Sequence, residues 1–344
     1  PQERRERSGD PRRCLVVGAG VAGLLAATRL LENGVAVTVI DEQAGPGGRM
    51  ATRHHLGGVW DHGAQYFTAR DSCFQEVTEA WQSAGVATTW FRGLPPPDPP
   101  DLPPDDPRRD EPHHCGVGGM RAIAEHIAAP LHVHGQTRAL RLTAAERWRL
   151  QALSGGHDTV NFESDAVLLT APVPRSLALL GPDARALASI RAELSDVCYQ
   201  PTLALLALLE GPSELAEPGA HHGDGDPVDW MADNRKKGIS PAPTITVHAG
   251  AEFSRRHFDD DPDEWAPTLL AAVRPALGAP VAAWWIHRWR YATPVETYPE
   301  RTLVSDTPSP IAFAGDAFAG PRVEGAALSG IAAADALLPH LQAI

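Results

Sequence analysis

The chain has 344 residues, of which 43% are hydrophobic and 21% charged, a soluble globular composition long enough for two domains. The formal net charge of −13 argues against nucleic acid and anionic membranes as partners. The four cysteines are far apart and form no C-x-x-C pair, which predicts no metal site and favours a reducing cytoplasm. Residues 1–12 are charged and lack an apolar segment, which predicts a disordered tail.

The first ordered segment is predicted to be a strand, a glycine turn, a helix and a second strand. Cys14–Val17 and Val35–Ile40 have the apolar character of buried strands, and Ala22–Glu32 has that of a helix closed by Asn-Gly. A strand, helix and strand in this order form a βαβ unit. That unit predicts a parallel sheet.

The turn "GAGVAG" between them carries the spacing G-x-G-x-x-G. Its first glycine permits the turn, its second lets a pyrophosphate approach the backbone, and its third lets helix and strand pack closely. An acid after the second strand is placed to bind ribose hydroxyls. The predicted dinucleotide-binding residues here are Gly18, Gly20, Ala22, Gly23, Asp41 and Glu42. This motif alone leaves FAD and NAD as alternatives.

Two further segments favour FAD. The turn "GPGGRM" puts an arginine and close backbone near the same dinucleotide, through Gly48, Arg49 and Met50. Near the C-terminus, "AFAGDAFAGPRVEGAALSG" ends a strand at an acid and opens a helix, whose N-terminus can stabilise the negative charge of a reduced flavin. A nicotinamide-binding domain has no need of this return. The residues predicted there are Gly315, Asp316, Val323, Glu324, Gly325 and Ala326.

The middle of the chain is less regular. We predict a helix over Asp71–Ala84, an exposed and disordered Pro/Asp-rich loop over 94–112, and a glycine turn and helix over Gly116–Ala128. Asp165–Pro172 and Leu203–Glu210 have the pattern of buried strands. Beyond residue 174 the glycine signatures stop, which predicts a second domain.

Taken in order, "GAGVAG", "GPGGRM", "WDHGAQYFTARD", "GVGGM", "HRWRYATP" and "GDAFAGPRVEGAALSG" resemble the bacterial members of the renalase family, which are related to the flavin amine oxidases. The resemblance implies an α/β fold with a glutathione-reductase-like, Rossmann-type FAD-binding domain and a second α+β substrate domain with a mixed or antiparallel sheet. We expect the first domain over 13–72, 113–173 and 295–344, and the second over 73–112 and 174–294.

The resemblance also implies an activity. Such an enzyme holds FAD without a covalent bond and oxidises the 2- and 6-dihydro isomers of NAD(P)H, passing a hydride to flavin N5. Molecular oxygen then takes the electrons to give hydrogen peroxide and NAD(P)+. On this interpretation Ala64, Gln65 and Tyr66 run past the flavin ring, where Gln65 offers amide partners and Tyr66 faces the ring or packs into the protein.

The substrate-side candidates are His248, Trp289, Arg290 and Tyr291. Strand alternation in "IHRWRYATP" puts Trp289 and Tyr291 on one face, to stack on a ring, and Arg288 and Arg290 on the other, to hold a pyrophosphate. A packed strand with solvated arginines is the alternative. His248 matches a histidine of the family and either polarises substrate or is hydrogen-bonded at a domain boundary.

Two other functions stay open. A flavin-dependent amine oxidase usually holds a water between flavin N5 and a lysine, but the only lysines, Lys236 and Lys237, lie in the loop-like "NRKKG". A non-catalytic carrier on the same fold would lack the cofactor, which the complete set of glycine and acid signals argues against. Colour in the purified protein separates the carrier from the two enzymes.

Overall fold

The computed structural model describes residues 11–94, 103, 105–144, 146–181, 187–306, 308–318 and 320–342. The helices are α1 (Val21–Glu32), α2 (Ser72–Ser83), α3 (Arg121–Ala128), α4 (Val173–Leu179), α5 (Ala188–Leu194), α6 (Ala251–His257), α7 (Pro262–Leu277) and α8 (Val323–Gln342). The strands are β1 (Arg13–Val17), β2 (Ala36–Ile40), β3 (Thr52–His55), β4 (Gly58–Asp61), β5 (Ala87–Arg92), β6 (Pro112–Gly116), β7 (Val133–His134), β8 (Thr137–Ala144), β9 (Trp148–Ser154), β10 (Asp158–Ser164), β11 (Ala166–Leu169), β12 (Cys198–Leu209), β13 (Ala220–His222), β14 (Val228–Asp233), β15 (Thr244–Ala249), β16 (Val281–Glu296), β17 (Leu303–Ser305) and β18 (Ile311–Phe313).

A six-stranded sheet in the order β17-β18-β11-β1-β2-β7 forms the first layer. Its pairs are parallel except β17 with β18, as the predicted βαβ unit requires. Apolar residues of α1, α3 and α8 form one core with this sheet, and the antiparallel meander β8-β9-β10 shares a second core with it. The predicted Rossmann-type α/β architecture is confirmed.

A five-stranded antiparallel sheet in the order β13-β14-β15-β12-β16 forms the second layer. The predicted strand Leu203–Glu210 matches the C-terminal, largely buried part of β12, which ends at Leu209 and lies between β15 and β16. Helices α6 and α7 share an apolar core with this sheet, and Trp265 is 1% exposed within it. An antiparallel sheet in the C-terminal half agrees with the expectation, and the exact domain boundaries stay a prediction.

Glycines allow α1 to approach both β1 and α8. Gly18 has φ +116°, which favours glycine, and a Cβ on Gly23 would lie 2.0 Å from the Gly18 carbonyl oxygen. A Cβ on Gly330 in α8 would lie 2.1 Å from the Ala22 carbonyl oxygen. The first and last helices therefore touch backbone to backbone, and their N-termini open at the same edge of the sheet.

Helix α2, which is expected in the substrate domain as part of 73–112, packs with the first layer. Phe74 and Trp81 belong to the core of that layer. The reason is the apolar face of α2, which meets α8.

Some predicted segments cannot be compared with the structure. Of the tail 1–12, residues 1–10 lie outside the described residues, as do 95–102 and 104 of the loop 94–112. The flanks of that loop form the antiparallel pair β5–β6. No helix in the described part of the chain is long and apolar enough to cross a membrane.

Candidate active site

A cavity of about 410 Å³ lies between the two layers. Its walls come from the β1–α1 turn, the "GPGGRM" turn, the segment 63–68, the start of α8 and the second sheet. The glycine motif and the C-terminal helix, far apart in sequence, therefore face one and the same space.

Gly20 and Ala22 line this cavity at the N-terminus of α1. A Cβ added to Gly20 would meet no protein atom within 4 Å, so it would project into open space. Gly18 and Gly23 lie behind the lining, where they shape the turn. An extended phosphate fits against such a surface, because free N–H groups and the helix dipole both favour an anion there.

The two acids after β2, Asp41 and Glu42, bind other groups of the protein. Asp41 accepts hydrogen bonds from the Ala19 N–H at 2.7 Å and the Gln43 N–H at 2.8 Å, which closes the glycine turn. Burial raises the pKa of Asp41. Glu42 forms a two-pronged ion pair with Arg175, and this hydrogen bonding lowers the pKa of Glu42. Neither residue is in the cavity lining, so their ribose contacts stay a prediction.

Arg49 links the "GPGGRM" turn to the C-terminal part of the chain. Its guanidinium donates to both oxygens of Asp316 at 2.6 and 2.7 Å, and to the carbonyl oxygens of Tyr291 and Ala292 at 3.2 and 3.1 Å. Arg49, Met50 and Asp316 line the cavity. Gly48, with φ +54°, lies behind them in the turn. Arg49 thus pairs with Asp316, the acid of the C-terminal segment, and contact of Asp316 with the cofactor stays a prediction.

The start of α8 forms the opposite wall. Gly315, Val323 and Ala326 line the cavity, while Gly325 is buried behind them. Glu324 was predicted to bind the cofactor, but its carboxylate accepts from the Arg70 and Asp71 N–H groups at 2.6 and 2.7 Å. Glu324 therefore ties the N-terminus of α8 to the residues just before α2. A carboxylate is favourable there because a helix N-terminus attracts negative charge.

The segment from Gly63 to Thr68 forms the wall between the sheets. Ala64 donates its N–H to the Arg49 carbonyl oxygen at 2.8 Å. Gln65 donates its side-chain amide to the carbonyl oxygens of Asp61 and Gly63 at 2.6 and 3.1 Å, so that amide group holds the wall itself. Its other side-chain atom, Oε1, is buried with no partner among the described residues.

Two neighbouring aromatic residues, Tyr66 and Phe67, belong to this wall. Tyr66 lines the cavity, with its ring 4.7 Å from His113 and 5.4 Å from Trp230. Phe67 is 3% exposed and packs against Phe74 in the core of the first layer.

Lys237 is buried directly behind the wall. Its ammonium is 2.6 Å from Asp61 Oδ2 and donates to the Gln65 carbonyl oxygen. The turn "NRKKG" was predicted from its polar residues, and that composition gave no signal that one lysine is enclosed. The ammonium also lies 4.9 Å from the Trp90 ring centre.

Trp289 and His248 form the substrate-side wall. Trp289 Nε1 donates to the His62 carbonyl oxygen at 2.7 Å, and His248 Nε2 lies 3.2 Å from that oxygen. Because a carbonyl only accepts, His248 carries its proton on Nε2. Burial lowers the pKa of His248 to about 4 and that of His62 to about 3, so both rings are neutral at pH 7.

Two of the predicted substrate-side residues, Arg290 and Tyr291, are not in the cavity lining. Arg290 is exposed and pairs with Asp259 at 2.9 Å, with its guanidinium 4.5 Å from the centre of the Phe258 ring. Tyr291 packs edge-on against Tyr199 at 5.6 Å. The exposed Arg288 and Arg290 alternate with the half-buried Trp289 and Tyr291 along β16, and their contacts with substrate stay a prediction.

Several lining residues were missed. His222, Asp229 and Trp230 line the cavity from β13 and β14, and Thr202 and Arg322 line it from β12 and the segment before α8. His222 and Trp230 pack edge to face at 4.8 Å. Of these five residues, only Arg322 lies inside a motif recognised in the sequence. The other four lie on strands, which carry no such motif.

These features fit FAD. Two long-helix N-termini and a glycine with free space beside it suit a pyrophosphate, and aromatic side chains at the other end suit a flat ring system. The fold and site together define a flavin-dependent oxidoreductase.

The chain belongs to the family of flavin-containing amine oxidoreductases, whose sequence model matches residues 102–338. A model for NAD(P)-binding Rossmann-like domains matches residues 16–82. The predicted cofactor, FAD, is thereby confirmed.

The chain is similar to solved structures over almost its entire length. A putative protoporphyrinogen oxidase from Exiguobacterium sp. 255-15 matches with a TM-score of 0.72 and 14% identity, covering 95% of this chain and 98% of that one. Cyclohexylamine oxidase from Brevibacterium oxydans IH-35A matches with a TM-score of 0.72 and 16% identity, covering 96% and 100%. At this identity the likeness shows the fold alone.

Curated relatives match over short stretches only. Mitochondrial protoporphyrinogen oxidase of Nicotiana tabacum is 35% identical over 86 residues, which are 25% of this chain and 16% of that protein. The chain spans less than a fifth of the length of the curated relatives it matches.

Proposed function

We propose that this protein is a renalase-like oxidase that uses non-covalent FAD to oxidise 2- or 6-dihydro isomers of NAD(P)H to NAD(P)+. When bound, FAD accepts a hydride at its N5 atom and passes two electrons to molecular oxygen, giving hydrogen peroxide. The observation that carries the proposal is an aromatic surface at the substrate end, formed by Tyr66, Trp230, Trp289 and neutral His248.

This surface suits a dihydropyridine ring. The ring is uncharged, stacks on aromatic faces and loses a hydride without prior deprotonation, so no strong base is needed. His248, held by the His62 carbonyl, keeps an unprotonated Nδ1 that accepts a hydrogen bond. At the cavity margin, exposed Arg322 supplies a cation for the substrate's phosphates.

Lys237 does not supply the lysine of an amine oxidase in this arrangement. Its ammonium is engaged by Asp61 and the Gln65 carbonyl, and it is not in the cavity lining. The chain's residues therefore bind and orient substrate, and the walls exclude water from the reacting atoms.

An anaerobic titration tests the proposal. The 6-dihydro isomer should bleach the flavin absorption within one equivalent, while ordinary NAD(P)H, the matched isomer, and primary amines should leave it oxidised. On admitting air, the protein should return to its oxidised spectrum and release hydrogen peroxide. Bleaching by amines alone would refute the proposal.

Amine oxidation is the second candidate, and one observation favours it. Asp229 lines the cavity beside Trp230 and near Tyr66, and a carboxylate with aromatic rings attracts an alkylammonium ion. If amines are the substrates, Asp229→Asn should raise KM for amines and leave the titration with dihydronicotinamides unaffected.

A further inference from the structure

The segment from His62 to Tyr66 follows the end of β4 at Asp61 and lies outside regular secondary structure. Its position therefore depends on individual contacts. The Asp61 carbonyl oxygen accepts from the Thr246 hydroxyl at 2.9 Å and the His62 carbonyl oxygen accepts from Trp289 at 2.7 Å. The Ala64 N–H donates to the Arg49 carbonyl oxygen at 2.8 Å and Phe67 pairs with His114. Between these two anchors, the Gln65 carbonyl oxygen is held by another group.

That group is Lys237. The side chains of Lys237 and Asp61 are both 0% exposed, and their charges are 2.6 Å apart. Lys237 also donates to the Gln65 carbonyl oxygen at 2.5 Å, while Asp61 accepts from the Thr52 hydroxyl at 2.6 Å and the Met120 N–H at 2.9 Å. One ion pair thus ties the wall to both layers of the fold.

We propose that Lys237 is a positioning residue, which through its buried pair with Asp61 fixes the wall Gly63–Tyr66 in the shape that accepts the flavin. A buried ion pair adds little net stability compared with apolar side chains of the same size, because desolvating two charges offsets their attraction. Its geometric effect is larger, since short charged hydrogen bonds tolerate few arrangements.

The neighbouring Lys236 provides a matched control. It is the only other lysine in the chain. Its side chain is 24% exposed, it donates to the Leu215 carbonyl oxygen, and its ion pair with Glu217 is long, at 3.7 Å. Lys236→Met removes the same charge from the same turn without touching the wall.

The experiment compares Lys236→Met with the double variant Asp61→Asn/Lys237→Met, which leaves no unpaired buried charge. The double variant should bind FAD about tenfold or more weakly and show a shifted visible flavin spectrum, because a displaced wall misplaces the ring. Lys236→Met should match the wild type in both. A double variant with wild-type FAD affinity and spectrum overturns the proposal.

A measurement on the unmodified protein covers the case in which the double variant does not fold. In FAD-free wild type, the Ala64 backbone amide, which donates to the Arg49 carbonyl oxygen at 2.8 Å, should resist hydrogen–deuterium exchange, because Lys237 holds the wall before the cofactor arrives. Rapid exchange there, suppressed only by adding FAD, means that the cofactor positions the wall and overturns the proposal. None of these readouts needs a substrate, so they stand apart from the test of the proposed function.

Discussion

Replacing Gly20 by valine should abolish FAD binding and leave the fold intact. The backbone at Gly20 is extended, with φ −77° and ψ 174°, which any residue adopts, and an added Cβ meets no protein atom within 4 Å. The valine methyl groups would occupy the space that the pyrophosphate needs. Losing two charge-assisted hydrogen bonds to phosphate, at about 1.5–3 kcal/mol each, would weaken binding by about 3–6 kcal/mol. The FAD Kd should therefore rise about 100-fold or more.

Fluorescence titration of FAD-free protein measures that Kd, and thermal unfolding without FAD measures the fold. Gly211→Ala is the control, because its Cβ would lie 3.5 Å from the Ala279 Cβ, an ordinary contact outside the cavity lining. Gly23→Ala is the opposite case, since its Cβ would lie 2.0 Å from the Gly18 carbonyl oxygen and should destabilise the protein itself. Wild-type FAD affinity in a folded Gly20→Val variant would refute this assignment of the site.

Three other outcomes are expected. Arg290→Ala should keep kcat/KM within about twofold of wild type, because it removes only an exposed pair with Asp259; a loss of tenfold or more in steady-state assays would restore a catalytic role. Trp289→Phe keeps a ring but loses the bond to the His62 carbonyl oxygen, so anaerobic flavin reduction should slow about fivefold, for about 1 kcal/mol; an unchanged rate contradicts this. The free energy of unfolding should fall by about 3 kcal/mol as pH drops from about 6.5 towards 4. The pKa of His248 is about 4 in the folded protein and about 6.5 in the unfolded chain, so the unfolded chain binds more protons in that window. Urea titrations at pH 7.5 and 5 check this, and equal values count against a buried neutral ring.

The sequence predicted the glycine turn and the C-terminal wall of the cavity, because the residues there lie in motifs that backbone geometry requires. Gly18 needs a positive φ, Gly23 needs contact with a carbonyl, and Gly20 needs free space. Each requirement excludes a side chain at one position, and the three positions have a fixed spacing. The spacing alone therefore located the turn, and the C-terminal return located the opposite wall.

The substrate half could not be predicted in the same way. It is built from single residues on antiparallel strands. Alternation puts Trp289 and Tyr291 on the same half-buried face, yet only Trp289 lines the cavity, and Tyr291 packs against Tyr199. Charged contacts between residues far apart in the sequence could not be predicted either. Nothing local to Lys237 indicates that its partner is Asp61, and nothing local to Glu324 indicates that it caps the chain before α2.

The close contact between Gly330 and the Ala22 carbonyl oxygen has a consequence for biosynthesis. A nascent chain emerging from the ribosome exposes the βαβ unit early, yet the wall formed by α8 is translated long after it. Cofactor capture must therefore wait until translation of α8 is complete, so a stalled or truncated product that lacks this helix should emerge colourless.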